Sequence, residues 1–85
     1  MIAAYSVIVK KSAQKELRKL PDSVLHRIAK AIDLLVSNPL PHGAVKMAGS
    51  DRTYRIREGD YRVIYSIEGS VIYVSRIAHR KEVYR

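Results

Sequence analysis

Two kinds of pattern are present in the chain. Apolar residues fall at every second position at the start and again in the last third, which is typical of half-buried strands. Between them, apolar residues recur every three or four positions, which is typical of amphipathic helices. Residues 38–52 follow neither pattern and contain two prolines and two glycines, so they are predicted to be a loop. The predicted elements are a strand at 4–9, helices at 12–20 and about 22–37, and strands at about 53–58, 61–67 and 71–77.

The limits of the two helices are marked by residues that begin or end helices. Ser12 is the predicted N-cap of the first helix, and Pro21 ends it and opens the second. Asn38-Pro39 ends the second helix, because the residue before a proline disfavours the helical conformation. Two helices in immediate succession predict a helical hairpin. The order β-α-α-β-β-β therefore predicts one α+β domain over residues 1–85, with the helical hairpin packed on one face of a twisted antiparallel sheet.

The first two strands of the last third form a predicted β-hairpin around the turn Gly59-Asp60. Arg55, Arg57 and Arg62 then share one face, and the apolar side chains share the other. Like charges directly opposite each other destabilise a sheet, so this arrangement is better explained by a polyanion that binds between the arginines. The hairpin therefore predicts a phosphate-binding face, with nucleic acid as the ligand. The predicted pairs are Glu58 with Tyr61, Arg57 with Arg62, Ile56 with Val63, and Tyr54 with Tyr65.

The register of the last strand is open, because Glu68-Gly69-Ser70 allows a two-residue or a three-residue turn. The two turns differ by one residue of register, and that difference moves every side chain of the strand to the other face. The three-residue turn places Arg76 on the arginine face, whereas the two-residue turn places it beneath the helices. We therefore expect the three-residue turn. On the arginine side it places Ile72, Val74, Arg76, Ala78 and Arg80.

The composition narrows the classes of function. Sixteen Lys and Arg against eight Asp and Glu give a net charge of +8, which is typical of nucleic-acid binding but also attracts acidic proteins and anionic membranes. The chain lacks cysteine, and its three histidines lack the spacing of metal ligands, so no metal and no cofactor is predicted. Neither a signal peptide nor an apolar run of roughly 18 residues is evident, so we expect a cytoplasmic protein that is not membrane-bound.

Three segments of the chain stand out together. They are a strand that leads into a basic helix ending at proline, the loop with the central hairpin, and the basic C-terminus. They read SVIVKKSAQKELRKLP, KMAGSDRTYRIREGDYRVIYSI and IAHRKEVYR. In order and in spacing, over nearly the whole chain, these segments resemble the RelE/ParE superfamily of small bacterial toxins. The resemblance implies the RelE-like fold and, for the RelE-like branch, a ribosome-dependent endoribonuclease that cleaves mRNA in the decoding site.

The resemblance also implies roles for individual residues, in a reaction in which the 2′-oxygen of RNA attacks its own phosphodiester without a metal. Arg62, in the hairpin motif GxYRxxY, matches an arginine that holds the scissile phosphate. Arg80, in HRKEVY, matches an arginine that stabilises the transition state or assists the leaving group. Tyr84 matches a C-terminal tyrosine that stacks on a nucleobase and orients the 2′-hydroxyl. Arg55 and Arg57 match two basic residues that are lysines in the best-known RelE members.

The identity of the general base is open. Where RelE members carry lysine at the position of Arg57, that lysine has been assigned as the base, but a guanidinium is a poor base because its pKa exceeds ~12. Three alternatives remain. Arg57 acts only by charge and position, or His79 transfers the proton, or the chain belongs to the ParE branch, which inhibits DNA gyrase without nuclease activity. Further contacts with the RNA are expected from Lys46, in the loop before the hairpin, and from Arg76.

Two classes of function therefore stand beside the nuclease. One is the ParE-like gyrase inhibitor, and the other is a basic protein whose arginine face docks an acidic antitoxin or another partner. The set Arg62, Arg80 and Tyr84 favours the nuclease. Its expected partners are a cognate antitoxin, with which the chain could form a hetero-oligomer, the 70S ribosome and mRNA.

Overall fold

The computed structural model describes residues 4–83, and in these residues two longer helices cover one face of a five-stranded sheet. This arrangement confirms the predicted α+β class. In chain order the elements are β1 (Ser6–Val9), α1 (Lys11–Arg18), α2 (Asp22–Leu34), β2 (Val45–Lys46), β3 (Thr53–Glu58), β4 (Tyr61–Glu68), β5 (Val71–His79) and α3 (Arg80–Val83). The strand order across the sheet is β1-β5-β4-β3-β2. None of the helices in the described part of the chain has the length and apolar character to cross a membrane.

The sheet is mixed, and not wholly antiparallel as predicted. β1 runs parallel to β5, with Ser6 opposite Val71 and Val9 opposite Val74. The other neighbouring strands are antiparallel. They include the two-residue β2, which lies within the segment predicted to be a loop and pairs with β3. Parallel neighbours need a connection of about a dozen residues or more, and almost the whole chain lies between β1 and β5. Alternation in the sequence predicts that a segment is a strand, but it does not show whether the strand pairs in a parallel or an antiparallel manner.

The central hairpin has the predicted register. Arg57 lies opposite Arg62, Ile56 opposite Val63 and Glu58 opposite Tyr61. Gly59 has a φ of 61°, a left-handed conformation that glycine adopts without the steric cost of a side chain. The prediction succeeds here because the turn and the alternation of both strands are local features of one short segment.

The turn before β5 differs from the prediction. Glu68 lies opposite Val71, so the turn has two residues, and the expected three-residue turn is wrong. As a consequence Ile72 and Val74 lie on the helix-covered face, where both are fully buried, and not on the arginine side.

A β-bulge in the middle of β5 changes which side chains lie on the arginine face in the second half of the strand. Val74 lies opposite Tyr65, but Arg76 lies opposite Ile64, so Ser75 is the extra residue. A bulge changes the alternation of faces by one position. Arg76 and Ala78 therefore lie on the arginine face, as predicted, although the turn that was expected to place them there is absent.

The helix α1 covers the edge of β5 beyond the end of β1. It begins at Lys11, with Lys10 at the N-cap position, so the prediction of Ser12 as the cap is wrong. The Ser12 hydroxyl instead donates to the carbonyl of Ser75 at 2.8 Å, and the backbone N–H of Ile77 donates to Glu16 Oε1 at 2.8 Å. Two side chains one helical turn apart thus satisfy backbone groups that no neighbouring strand reaches.

The core lies between the helices and the covered face of the sheet. It includes Ile28 and Ile32 of α2, and α2 ends at Leu34, before the predicted Ser37, in a short turn. Tyr65 is fully buried, and its hydroxyl donates to the carbonyl of Pro39 at 2.6 Å, which ties the chain after α2 to the sheet. Burial, and to a lesser extent the neighbouring Tyr54, raises the pKa of Tyr65 to about 12.

Candidate nucleic-acid interface

An open cleft of about 490 Å³ lies where the central hairpin meets the end of β5. The described residues that line it are all cationic: Arg57, Arg62, Arg80 and Lys81. Arg57 comes from β3 and Arg62 from β4, and the other two come from the first turn of α3. Because β5 lies beside β4, the end of β5 brings the C-terminal cations next to the hairpin arginines. The structure therefore brings together three predicted catalytic residues and one residue that was not predicted.

Arg62 occupies the interior of this cluster and is only 4% exposed. Its Nη1 donates to the carbonyl of Tyr61 at 3.4 Å. A guanidinium keeps its charge in such a place, and charge is costly to bury. The same low exposure strengthens the interaction of Arg62 with any anion that enters the cleft, because water screens it less.

Arg57 is exposed and joins the cleft to a second hollow. Its Nε donates to the carbonyl of Gly59 at 3.1 Å, which holds the guanidinium beside the turn. The second hollow, of about 160 Å³, is lined by the three hairpin arginines and by two residues that precede them, Gly43 and, in β2, Val45. Since both hollows share Arg57 and Arg62, the three hairpin arginines lie on one basic surface, as the predicted register requires.

Arg80 and Lys81 are placed by contacts between the start of α3 and the hairpin turn. The backbone N–H of Arg80 donates to the carbonyl of Asp60 at 2.7 Å. Arg80 Nε also lies 3.9 Å from Asp60 Oδ1, with both side chains about half exposed or more. A pair this exposed contributes little stability, so it orients Arg80 without neutralising it strongly.

Three other predicted site residues lie away from the cleft. Lys46 pairs with Tyr54 across the β2–β3 ladder, which puts its side chain on the face opposite Arg55, and its Nζ lies 3.6 Å from Asp51 Oδ1. Arg76 begins on the arginine face but reaches sideways to α1, where Nε and Nη2 both lie 3.1 Å from Glu16 Oε2.

His79 lies on the helix-covered face. It sits opposite Tyr61, one position away from the pair Arg62 and Ala78, and successive residues of a strand point to opposite faces. The His79 ring packs edge-on against Tyr61, with centroids 5.3 Å apart. The structure therefore does not bring His79 to the cleft as a proton-transfer group. Tyr84, the remaining predicted residue, lies outside the described residues.

Two residues of the site were missed in the sequence. Lys81 follows Arg80 directly, and its place in the cleft depends on the helical turn that α3 makes there. Asp60 was read only as a turn residue, yet it binds Arg80 through both its carbonyl and its carboxylate. The charge of Asp60 is opposite to that of Arg80, which is the one signal that could have paired them. The two residues are twenty positions apart in the sequence, and they meet only because of the register between β4 and β5.

The chemical capacity of the cleft follows from its lining. Four cations on one concave surface attract and hold phosphate groups, and arginine matches the geometry of two phosphate oxygens at once. Among the described residues, the lining contains no carboxylate and no imidazole. The described cleft can therefore bind and stabilise negative charge, and it offers no conventional general base.

Comparison with known proteins places this architecture in a family. The model of the ParE toxin of type II toxin–antitoxin systems matches residues 7–84. The putative toxin RelE1 of Methanocaldococcus jannaschii is 31% identical over 86 residues, which cover 95% of this chain and 96% of that protein.

Solved structures agree with the sequence comparison. A chain of the archaeal RelE–RelB complex from Pyrococcus horikoshii is 33% identical, with a TM-score of 0.81 over 91% of this chain and 96% of that one. The isolated E. coli RelE toxin is 28% identical, with a TM-score of 0.79 over 95% of this chain and 92% of that one. The family model is named for ParE and these relatives for RelE, two branches of one superfamily. The chain therefore belongs to the RelE/ParE superfamily and is a RelE-like toxin of a toxin–antitoxin system.

Proposed function

We propose that this toxin is a ribosome-dependent endoribonuclease that cleaves mRNA in the decoding site. The observation that carries the proposal is the cleft in which Arg57, Arg62, Arg80 and Lys81 converge. Cross-strand arginines weaken a sheet, so their presence on β3 and β4 calls for a ligand that separates and neutralises them. An RNA phosphodiester has the required charge and size.

The reaction begins with attack of the 2′-oxygen on the adjacent phosphorus. The phosphorane that forms carries more negative charge than the starting diester, and cations that are already in place stabilise it without reorganising. The groups for this role are Arg62, which is buried, and Arg80, at the start of α3. The bond to the 5′-oxygen then breaks, water accepts the proton of the 2′-hydroxyl and supplies one to the 5′-oxygen, and the products are a cyclic phosphate on one fragment and a 5′-hydroxyl on the other.

The remaining basic residues hold the substrate. Arg57 faces the cleft and the side hollow, and Arg55 extends the basic surface along β3. Phosphates on either side of the scissile one would lie along these residues. Tyr84, which follows α3, is proposed to stack on a nucleobase and orient the 2′-hydroxyl.

The described residues contribute to the reaction by their charge and by positioning the substrate. Arg57 cannot act as a base at neutral pH, and His79 lies on the opposite face of the sheet. Correct alignment of the 2′-oxygen with the phosphorus is itself worth several powers of ten in rate. A messenger held by the ribosome supplies that alignment, which agrees with a reaction that depends on the 70S ribosome in the cytoplasm.

A cognate antitoxin is the proposed protein partner. Solved relatives include RelE–RelB complexes from Pyrococcus horikoshii, Methanococcus jannaschii and E. coli. The net charge of +8 on this chain favours an acidic antitoxin segment, bound in a hetero-oligomer of toxin and antitoxin.

The test is controlled expression of the chain followed by mapping of mRNA 5′ ends in the arrested cells. Cuts at a fixed place within codons, in translated messages only, are expected for the wild type and not for Arg62→Ala or Arg80→Ala. Arg52→Ala is the matched control, because Arg52 is exposed, does not line the cleft, and its removal changes the net charge equally. Growth arrest without such cuts would overturn the proposal.

A second candidate is inhibition of DNA gyrase without cleavage, favoured by the match to the ParE family model. A supercoiling assay with purified gyrase tests it. Inhibition that persists in Arg80→Ala, with intact messages, would support this candidate. An antitoxin complex that shows neither activity would reduce the arginine surface to a docking site for an acidic partner.

A further inference from the structure

The short turn that carries Arg80 and Lys81 into the cleft is held by a histidine on the other face of the sheet. The backbone N–H of Lys81 donates to His79 Nδ1 at 3.3 Å. His79 directly precedes α3, so its side chain binds the second amide of the helix, as an N-cap residue does. Cap residues in proteins are usually Ser, Thr, Asp or Asn, so a histidine in this position is unusual.

The surroundings of His79 fix the orientation of the ring. Tyr61 packs edge-on against it, with an interplanar angle of 82°. Glu16 and Lys19 of α1 line the same hollow, of about 280 Å³, on the covered face. A ring that accepts at Nδ1 is neutral and carries its proton on Nε2, since an imidazolium has two donors and no acceptor.

We propose that His79 is a positioning residue, whose neutral imidazole caps α3 and thereby holds Arg80 and Lys81 in the cleft. Protonation places an N–H at Nδ1 opposite the N–H of Lys81 and removes the cap. Among the described residues, Glu16 and Lys19 on α1 and Tyr61 on β4 are charged or titratable groups that line the hollow of the ring, and Arg80 and Lys81 follow His79 directly along the chain. The cap stands on geometry alone, and only its effect on RNA rests on the proposed function.

RNA binding should weaken on acidification, which is the opposite of what the gain of positive charge alone would cause. Acidification adds positive charge to the protein, which by itself strengthens the binding of RNA. Loss of the cap acts in the opposite direction, because two of the four cations of the cleft are released from their positions. On acidification the wild type should therefore lose RNA affinity and cleavage.

The experiment compares the wild type with His79→Asn and His79→Ala between about pH 5.5 and pH 8. Asparagine retains a side-chain acceptor suited to an N-cap but does not titrate, so His79→Asn should be active and should lack the acid decline. His79→Ala should be weaker than the wild type at pH 8, by about fivefold, the usual effect of a lost cap, and should lose little more on acidification because it has no cap to lose. His26 and His42 remain in all three proteins, so their contribution is the same on both sides of the comparison. Thermal unfolding of each variant at neutral pH shows that it is folded.

A second readout separates the cap from the chemistry. In the ¹⁵N spectrum of the free toxin, the Lys81 amide should shift, and exchange faster with solvent, as His79 becomes protonated. The inference would be overturned if the chemical shift and exchange rate of the Lys81 amide did not change with pH. Identical pH profiles for the wild type and His79→Asn would overturn it as well. If the wild type neither binds nor cleaves RNA, the proposed function fails, and the amide titration alone decides the cap.

Discussion

At the scale of single residues, the site is built against the stability of the sheet. Arg57 lies directly opposite Arg62, and Arg62 is almost fully buried. Neither choice favours folding, because like charges repel across a ladder and a buried cation has lost its water. Side chains that lower stability and converge on one cleft are typical of residues kept for function.

Arg57→Thr should therefore stabilise the protein while it weakens the site. Threonine fits a strand and removes the repulsion of Arg62, so the free energy of unfolding should rise by roughly 0.2–1 kcal/mol. RNA affinity should fall, because one cation of both hollows is lost. Urea unfolding and RNA titration measure the two effects, with Arg52→Thr as the control for net charge. A variant that loses stability would show that the arginine contributes more through its bond to Gly59 than it costs through repulsion.

Tyr65 provides a prediction on stability alone. Tyr65→Phe leaves the carbonyl of Pro39 without its donor, which should lower the free energy of unfolding by roughly 1–3 kcal/mol. The folded pKa of Tyr65 is about 12, above the usual 10.0. The neutral hydroxyl thus stabilises the fold below the unfolded value, and this contribution is lost as the pH rises from 10.0 through about 12. Unfolding followed across this range should show a smaller alkaline loss in Tyr65→Phe than in the wild type, and equal losses would contradict the assignment.

At the scale of elements, the site depends on how β5 is held beyond its bulge. β1 ends opposite Val74, so the second half of β5 would have an open edge. α1 covers that edge with Ser12 and Glu16, and Glu16 also binds Arg76 through Oε2. The strand that carries the C-terminal cations is thereby fixed on both sides, by β4 and by α1.

Glu16→Ala should destabilise the protein more than the loss of a surface charge does. It removes the acceptor for the Ile77 N–H and the partner of Arg76, and bonds of this charged type contribute roughly 1.5–3 kcal/mol. Glu16→Gln keeps one acceptor oxygen and should have a smaller effect. Chemical unfolding measures both, with Glu68→Ala as the control, because Glu68 is exposed and carries the same charge. Equal effects of Glu16→Ala and Glu68→Ala would show that α1 does not clamp the strand.

The elements also show what the sequence can and cannot predict. The helices and the central hairpin were predicted because apolar periodicity, helix-ending prolines and turns are local, although the cap of α1 was predicted at Ser12 and lies at Lys10. The direction of β1 was not, because its partner lies at the other end of the chain. The bulge at Ser75 decides which residues face the cleft, and it depends on contacts with α1 and on the Ser75 bond to Ile64. His79 and Lys46 were assigned to the site by proximity along the chain, whereas the pairing of β5 and β2 places them on the other face.

At the scale of the whole molecule, the chain has a net charge of +8, and five of its sixteen Lys and Arg residues line the two hollows. Three hairpin arginines and two cations of α3 gather on the open side of the sheet, while the helices cover the other side. Such a surface attracts any polyanion, so a binding constant at one salt concentration would not distinguish the cleft from the general charge. The dependence of binding on salt makes the distinction, because it counts the cations that contact phosphate.

The number of cations that contact phosphate should be lower by one in each cleft variant. For a single-stranded nucleic acid, each phosphate neutralised contributes about 0.7 to the slope of log K against log salt concentration. Arg62→Ala and Arg80→Ala should each reduce the slope for a short single-stranded RNA by about that amount. Arg52→Ala, with the same net charge, should leave the slope unchanged because Arg52 lies outside both hollows. Fluorescence anisotropy of a labelled RNA at four salt concentrations gives the slopes. If all three variants reduce the slope equally, RNA is held by diffuse charge and the cleft has no special part in its binding.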